Sequence, residues 1–199
     1  MGIGFVQLSA QELYVGDGAT FFVAQGTAFT TSDNLVSQHA NGVFAVEAGF
    51  IWSKASATEY VNGAVSVIGA GTTTLHVGTS AGYAPMTLVT ANADDHFVGS
   101  HTKSAPTTAA INAALVNYEL SDTEFWSVSK TAGTSAGVKV SGLTVDANAT
   151  YNGNPSKGID KVVHLDVTWN EYTDAEKVGD FTFATDLTPL GIDQIDADV

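Results

Sequence analysis

The stretch VGTSAGYAP, Val77–Pro85, carries the five letters GTSAG, and they return in AGTSAGVKV, Ala132–Val140. GTSAG satisfies G-x-S-x-G, the pattern that in one large class of hydrolases lifts a nucleophilic serine onto a sharp strand-to-helix turn. That elbow needs a buried strand before the serine and a helix directly after it. After Ser80 comes AGYAP, where Pro85 interrupts any helix. After Ser135 comes AGVKVSGLTV, which alternates as a strand. Both contexts fail, so Ser80 and Ser135 read as residues of Gly-rich turns. The chain around them reads as a β protein rich in Gly, Ala, Ser and Thr.

The hydrophobic period is mostly two. Thr20–Gly26 (TFFVAQG) and Gly42–Ser53 (GVFAVEAGFIWS) read as strands. Val15–Gly18 (VGDG) predicts a tight turn, and Asn62-Gly63 within Tyr60–Gly69 predicts a hairpin. Thr72–Gly78, Pro85–Ala91, Thr123–Lys130 and Val138–Thr150 follow as strands, with a bulge expected at Gly142. Asn152–Pro155 reads as a turn, and Gly158–Tyr172 as one long strand.

The exception is Ser104–Leu120, SAPTTAAINAALVNYEL. Pro106 suits a helix start, and Ile111, Leu115 and Tyr118 fall at helical spacing. The expected fold is therefore mainly β: an antiparallel β-sandwich or barrel with one flanking α-helix at about 107–120. The expected organisation is an N-terminal arm over 1–15, a single β-rich domain over 16–180 and an acidic C-terminal tail over 181–199.

Composition narrows the function. The 199 residues suit one domain, and 44% hydrophobic residues supply a core without metal or disulfide. There is no Cys. There is also no Arg: all seven basic residues are Lys, against 21 acids, for a net charge of −14. That balance argues against a phosphate-binding groove and against docking on an anionic membrane. MGIGFVQLSAQ lacks a basic signal region, and no apolar run reaches membrane-spanning length, so a soluble, unexported chain is expected. From Asn170 to Val199 stand eight acids and one Lys, which reads as a solvated face or as an acidic surface with a job.

The candidate chemistry is sparse. Asp94, Asp95, His96 and His101 lie close enough in sequence to suggest a divalent metal site, although Asp-Asp-His-Phe is also ordinary loop chemistry. His39 and His76 are isolated, and His164 decorates the polar face of its strand. Glu119 and Glu124 flank the end of the expected helix and read as solvated acids. No P-loop and no dinucleotide fingerprint occurs. Trp52, Trp126 and Trp169 read as core residues ahead of sugar-stacking platforms. No enzyme and no cofactor is expected.

The second half runs strand, helix (Thr107–Leu120), strand (Glu124–Lys130), strand (Val138–Ala149), turn, long strand (Lys161–Trp169). That order, with SGLTVDANATYNGNPSKGIDKVVHLDVTW near the end and GDGATFFVAQGTAFTTSDNLVSQ early, resembles the tail tube proteins of long-tailed bacteriophages. The resemblance implies a β-sandwich with a flanking helix, closing into stacked hexameric rings around a DNA conduit within a virion. Its partners would be copies of itself and other virion proteins. Ser53–Glu59 is short for the loop by which such rings contact one another. An acidic lumen that repels phosphate suits the net charge, with some of Asp160, Asp166, Glu171 and Asp174 facing lumen or solvent. The apolar start, with Ile3, Phe5, Val6 and Leu8, reads as a docking arm for assembly. The competing class is a capsid decoration protein, or an adhesin-like β-sandwich binding module at a cell surface or outside the cell.

Overall fold

The computed structural model describes residues 5–7, 13–30, 36–38, 41–52, 58–104, 113, 118–120, 124–135, 137–141, 161–165, 169–171 and 181–189. Short strands separated by glycine corners dominate them, and no α-helix occurs among them.

The first nine strands wind as three stacked coils. The first coil is β1 (Phe5–Gln7), β2 (Leu13–Val15) and β3 (Thr20–Val23). The second is β4 (Ala28–Thr30), β5 (Val36–Gln38) and β6 (Val43–Glu47), and the third is β7 (Ile51–Trp52), β8 (Val61–Asn62) and β9 (Val65–Ile68). Each strand pairs in parallel with its counterpart one coil on. Phe5 stands opposite Ala28, Leu13 opposite Val36 and Thr20 opposite Val43, an offset of 23 residues in every case. Parallel strands need a crossover of a dozen or more residues. Here the other two faces of each coil are that crossover, so no helix is required.

Stacking in register lines up like residues through the interior. Leu13, Val36, Val61 and Val77 form one column, and Val23, Val46 and Val67 another. Phe21 stacks on Phe44 with ring centroids 5.5 Å apart, and Phe29 meets Trp52 edge-on at 4.8 Å. These offset and edge-on contacts are the favoured aromatic geometries.

The corners stack as well. Gly26 and Gly49, one coil apart, both hold positive φ (76° and 82°), a conformation that glycine adopts without steric cost. Gln25 N donates to Glu47 Oε2 at 2.8 Å, and Gly49 N donates to Thr73 Oγ1 at 2.9 Å, so each corner is tied to the next level. At another corner Asn41 Nδ2 donates to Asp17 Oδ1 at 2.9 Å. Gln38 spans two levels: its Nε2 donates to Ala64 O and its Oε1 accepts from Phe44 N.

Beyond the third coil the chain changes habit. β11 (Val77–Thr79) adds a parallel strand to β8, and β12 (Gly82–Tyr83) returns antiparallel on β11. β10 (Gly71–Leu75), β13 (Met86–Thr90) and β17 (Lys139–Ser141) form an antiparallel sheet. β14 (His96–Thr102) pairs antiparallel with β9 and with β16 (Phe125–Ala132). β20 (Phe181–Pro189) lies between β16 and β18 (Lys161–Leu165), with β19 (Trp169–Glu171) outermost and β15 (Tyr118–Leu120) also on β20. The β10–β13–β17 sheet packs on β14: a Cβ placed on Gly99 would come 2.5 Å from Leu75 Cδ1. Trp126, fully buried, donates from Nε1 to Ala84 O at 2.9 Å across that interface.

The chain is thus mainly β, as expected, but the sheets are mixed, and neither a sandwich nor a barrel closes. The N-terminal half pairs in parallel because its corners link strands of different sheets instead of folding back as hairpins. Asn62-Gly63 makes a coil corner: β8 and β9 do not pair with each other. Gly42–Ser53 is two strands, β6 and β7, broken by the Gly49 corner. Within Gly158–Tyr172, expected as one strand, β18 and β19 pair antiparallel, with Leu165 opposite Trp169.

The flanking helix is not seen. Tyr118–Leu120 is a strand held by β20, and the rest of 107–120 lies outside the described residues apart from Ala113, in a 3₁₀ turn. Part of the expected arm is structural, since Phe5–Gln7 and Leu13–Val15 are strands of the first coil. Part of the expected tail is internal, since Phe181–Pro189 is the strand on which β15, β16 and β18 all pair. Ile3, Leu8, Asp160, Asp166 and Asp174 lie outside the described residues. Among the described residues no helix is long and apolar enough to cross a membrane.

Candidate functional site

Four of the eight buried polar side chains among the described residues gather at two places, both fixed by β14 and β16. The first lies where the Asn92–Asp95 turn, entering β14, meets the Gly133–Ser135 loop, leaving β16. Asp95 is completely buried. Its Oδ2 accepts from Ala91 N (3.1 Å), Asn92 N (2.9 Å) and Ser135 Oγ (2.5 Å), and its Oδ1 accepts from Ser135 N (3.1 Å). Around this core Asn92 Nδ2 donates to Ser135 Oγ, Thr134 Oγ1 donates to Asp94 Oδ1, and Lys130 Nζ donates to Ser135 O at 2.6 Å.

Gly133 makes the approach possible. Its φ is +105°, and a Cβ there would sit 2.5 Å from Asp95 Cα. Burial raises the pKa of Asp95, but the hydrogen bonds from Ser135, Asn92 and Ala91 outweigh it and hold the carboxyl below its ordinary value.

The second place joins the end of β14 to the start of β16. His101 and Glu124 are both buried, and His101 Nε2 lies 2.9 Å from Glu124 Oε2. Lys103 Nζ donates to the same oxygen at 3.1 Å. Burial raises the Glu124 pKa, and the contacts to His101 and Lys103 lower it by more, so the carboxylate is ionised and Nε2 carries the proton it accepts. The imidazole lies 4.8 Å from the Trp126 ring, and its buried Nδ1 finds no hydrogen-bond partner among the described residues.

A smaller group surrounds His76, whose Nδ1 lies 2.6 Å from Tyr83 Oη, with Trp52 edge-on to the ring. Burial lowers the His76 pKa to about 4 and raises those of Tyr60 and Tyr83. This histidine is neutral across the physiological range.

The candidate residues are placed as follows. Ser80 is exposed at the two-residue turn between β11 and β12, where Thr79 pairs with Gly82. Ser135 is buried, and its hydroxyl proton points into Asp95. A carboxylate of depressed pKa is a weak base, so this contact does not activate the oxygen as a nucleophile. The four metal candidates do not converge. Asp95 is turned to four donors, and His101 is turned to Glu124. His96 lies on the opposite face of β14, as the alternating burial of that strand requires. Among the described residues no group of three or more metal-capable side chains occurs.

Trp52 and Trp126 are core residues, as expected. Glu124, expected in solvent, is buried, because it opens a core strand and not a helix-flanking loop. Its link to His101 spans 23 residues and carries no local signal. The 23-residue spacing of apolar triplets does carry one: FVQ, LYV and TFFV answer AFT, VSQ and VFAV.

Compared with known proteins, the chain matches no family model, no curated protein and no solved structure.

Proposed function

We propose that this protein is a self-assembling structural subunit and not an enzyme, with a virion as its setting. One observation carries the reading: among the described residues the strands of the first coil, β1, β2 and β3, each lie at the end of their sheet. Unpaired strand edges are templates for another chain, and natural folds cover or blunt them when they are not used. The buried polar clusters support it from the other side, since their hydrogen bonds, His101 Nδ1 apart, are spent on joining loops to strands.

The tail tube of long-tailed bacteriophages is the assembly that the sequence stretches resemble and the acidic composition suits, while the helix expected from that resemblance is not seen. There the chain would form rings around a DNA conduit, with copies of itself and other virion proteins as partners. A capsid decoration protein, or an adhesin-like module outside the cell, is the second reading. It is favoured by the parallel coils, which differ from the antiparallel sandwich that the tube resemblance implies.

Light scattering after size exclusion, with negative-stain imaging of the same fraction, tests both. Rings or tubes with a central hole support the tube. Small closed oligomers support the decoration or adhesin module. A monomer at every concentration overturns self-assembly.

A further inference from the structure

We propose that Tyr60 and Tyr83 are an intramolecular dityrosine site, at which a one-electron oxidant joins the two rings by a carbon–carbon bond and His76 accepts a proton. The inference is independent of the self-assembly reading.

The chain has six Tyr and no Cys, so no disulfide can staple it. Among the described residues Tyr60 and Tyr83 are the one pair of tyrosine rings in contact, with centroids 5.5 Å apart and planes at 41°. The backbone builds this contact. Tyr60 directly precedes β8 and His76 directly precedes β11, and these strands pair in parallel, with Val61 N donating to His76 O at 2.8 Å. β12 then folds back and sets Tyr83 opposite Gly78. A Cβ on Gly78 would come 2.6 Å from Tyr60 Cε2 and 2.9 Å from Tyr60 Cδ2. The Tyr60 ring therefore occupies the place of a side chain at residue 78, as the cross-strand neighbour of Tyr83. Cε2 is ortho to the phenolic oxygen, and the ortho carbons are where two phenoxyl radicals couple.

The hydrogen bonds prepare the pair for oxidation. Tyr83 Oη lies 2.6 Å from His76 Nδ1. A phenol is a far stronger acid than a neutral imidazole N–H, so Oη donates and Nδ1 accepts. Burial lowers the His76 pKa to about 4, which keeps that nitrogen unprotonated and ready to take the proton. Tyr60 Oη donates to Thr79 O at 2.6 Å, which fixes the second ring. Tyr83 is partly exposed and Tyr60 is buried, so Tyr83 is oxidised first.

The step balances with two equivalents of oxidant. One takes an electron from Tyr83 as the phenolic proton passes to His76. The other takes an electron from Tyr60, whose proton leaves to water at the exposed Ser80 beside Thr79. The two phenoxyls join through ortho carbons, and the hydrogens on those carbons move to the oxygens as both rings regain aromaticity. One carbon–carbon bond forms, two electrons reach the oxidant, and two protons are released. The product ties the chain ahead of β8 to β12, the two-residue strand at the end of its sheet.

The test applies light, ruthenium tris-bipyridyl and persulfate to the dilute full chain and to Y60F, Y83F, H76Q and Y14F. Peptide mass mapping locates the links, dityrosine fluorescence follows their rate, and circular dichroism checks folding. Tyr14 is the control, because it is 59% exposed and lies on β2. The expected product joins Tyr60 to Tyr83 within one chain and is two hydrogens lighter than its parts. It is absent in Y60F and Y83F, unchanged in Y14F, and at least about tenfold slower in H76Q, which lacks the base. Its thermal midpoint rises by about 5–10 °C, as a cross-link closing a short loop predicts. Links that run through Tyr14 or other tyrosines and omit the Tyr60–Tyr83 pair, or no link at all, overturn the site. The map of the unsubstituted chain decides this even if a variant fails to fold. An H76Q variant that reacts at the full rate overturns the part given to His76.

Discussion

Ser135 and Asp95, forty residues apart in the chain, share two hydrogen bonds: the serine hydroxyl and the serine amide each donate to one carboxylate oxygen. The second GTSAG is therefore a loop-to-loop lock. It fastens the exit of β16 to the entrance of β14, the antiparallel pair on which the β10–β13–β17 layer packs.

This lock predicts a graded series. Ser135→Ala removes one hydroxyl from Asp95 and Asn92 and is expected to cost about 1–3 kcal/mol, since it leaves a buried charged acceptor short of a donor. Asp95→Ala strands four donors and is expected to cost more than any other single change in the cluster. Urea midpoints at neutral pH measure both. A neutral Asp95→Ala would show that the lock contributes nothing.

Stability should fall in two separate acid steps. His76 binds its proton at about 4 in the folded chain and near 6.5 when unfolded. Between those values the unfolded chain holds more protons, so stability is complete above about 6.5 and declines as the pH falls toward 4. Asp95 and Glu124 have depressed pKa values, so their contribution is present above the ordinary carboxylate range and is lost only as the pH drops through their folded values. His76→Gln should flatten the upper step and leave the lower one, which denaturation at a series of pH values would resolve. An upper step that persists in His76→Gln would assign it to another group.

Two glycines should differ in a definite order. Gly49→Ala forces an alanine to positive φ and brings its Cβ 2.7 Å from Gln25 Nε2, the movable end of a side chain. Gly133→Ala carries the same kind of strain and also drives Cβ to 2.5 Å from Asp95 Cα, where backbone must shift. Gly49→Ala is expected to cost about 1–2 kcal/mol and Gly133→Ala more. Thermal midpoints of the two variants would reverse in order if the Gly133 loop were free to relax.

The stacked corners predict a charge effect between coils. Asn41→Asp replaces the donor opposite Asp17 with a second carboxylate, with an expected loss of about 0.5–1 kcal/mol at low salt. Asp17→Asn in the same chain should restore most of it, and added salt should shrink the loss in the single variant. Denaturation of the single and double variants gives the coupling directly.

Local chemistry determined much of this protein. Alternating β-branched and aromatic runs placed most strands, glycine with Asp or Asn marked the corners, and the missing helix after Ser80 and Ser135 read both GTSAG stretches as turns. Those features depend on neighbours within a few residues. Whether Asn62-Gly63 closes a hairpin or turns a coil depends on what lies beside the next strand, and that partner comes from 21 to 25 residues away. The same holds for Tyr118–Leu120, where helical spacing competed with a place beside β20, and for Phe181–Pro189, whose place between β16 and β18 no neighbouring residue marks. Glu124 reads locally as a solvated acid and His101 as a metal candidate, and antiparallel pairing of β14 with β16 brings them into one buried contact instead. Sequence determined the alphabet of strands and corners, because steric and hydrogen-bond preferences of single residues suffice for that. Only the tertiary structure decided parallel stacking over hairpins, because every pairing register is a choice among distant strands made by the burial of whole faces.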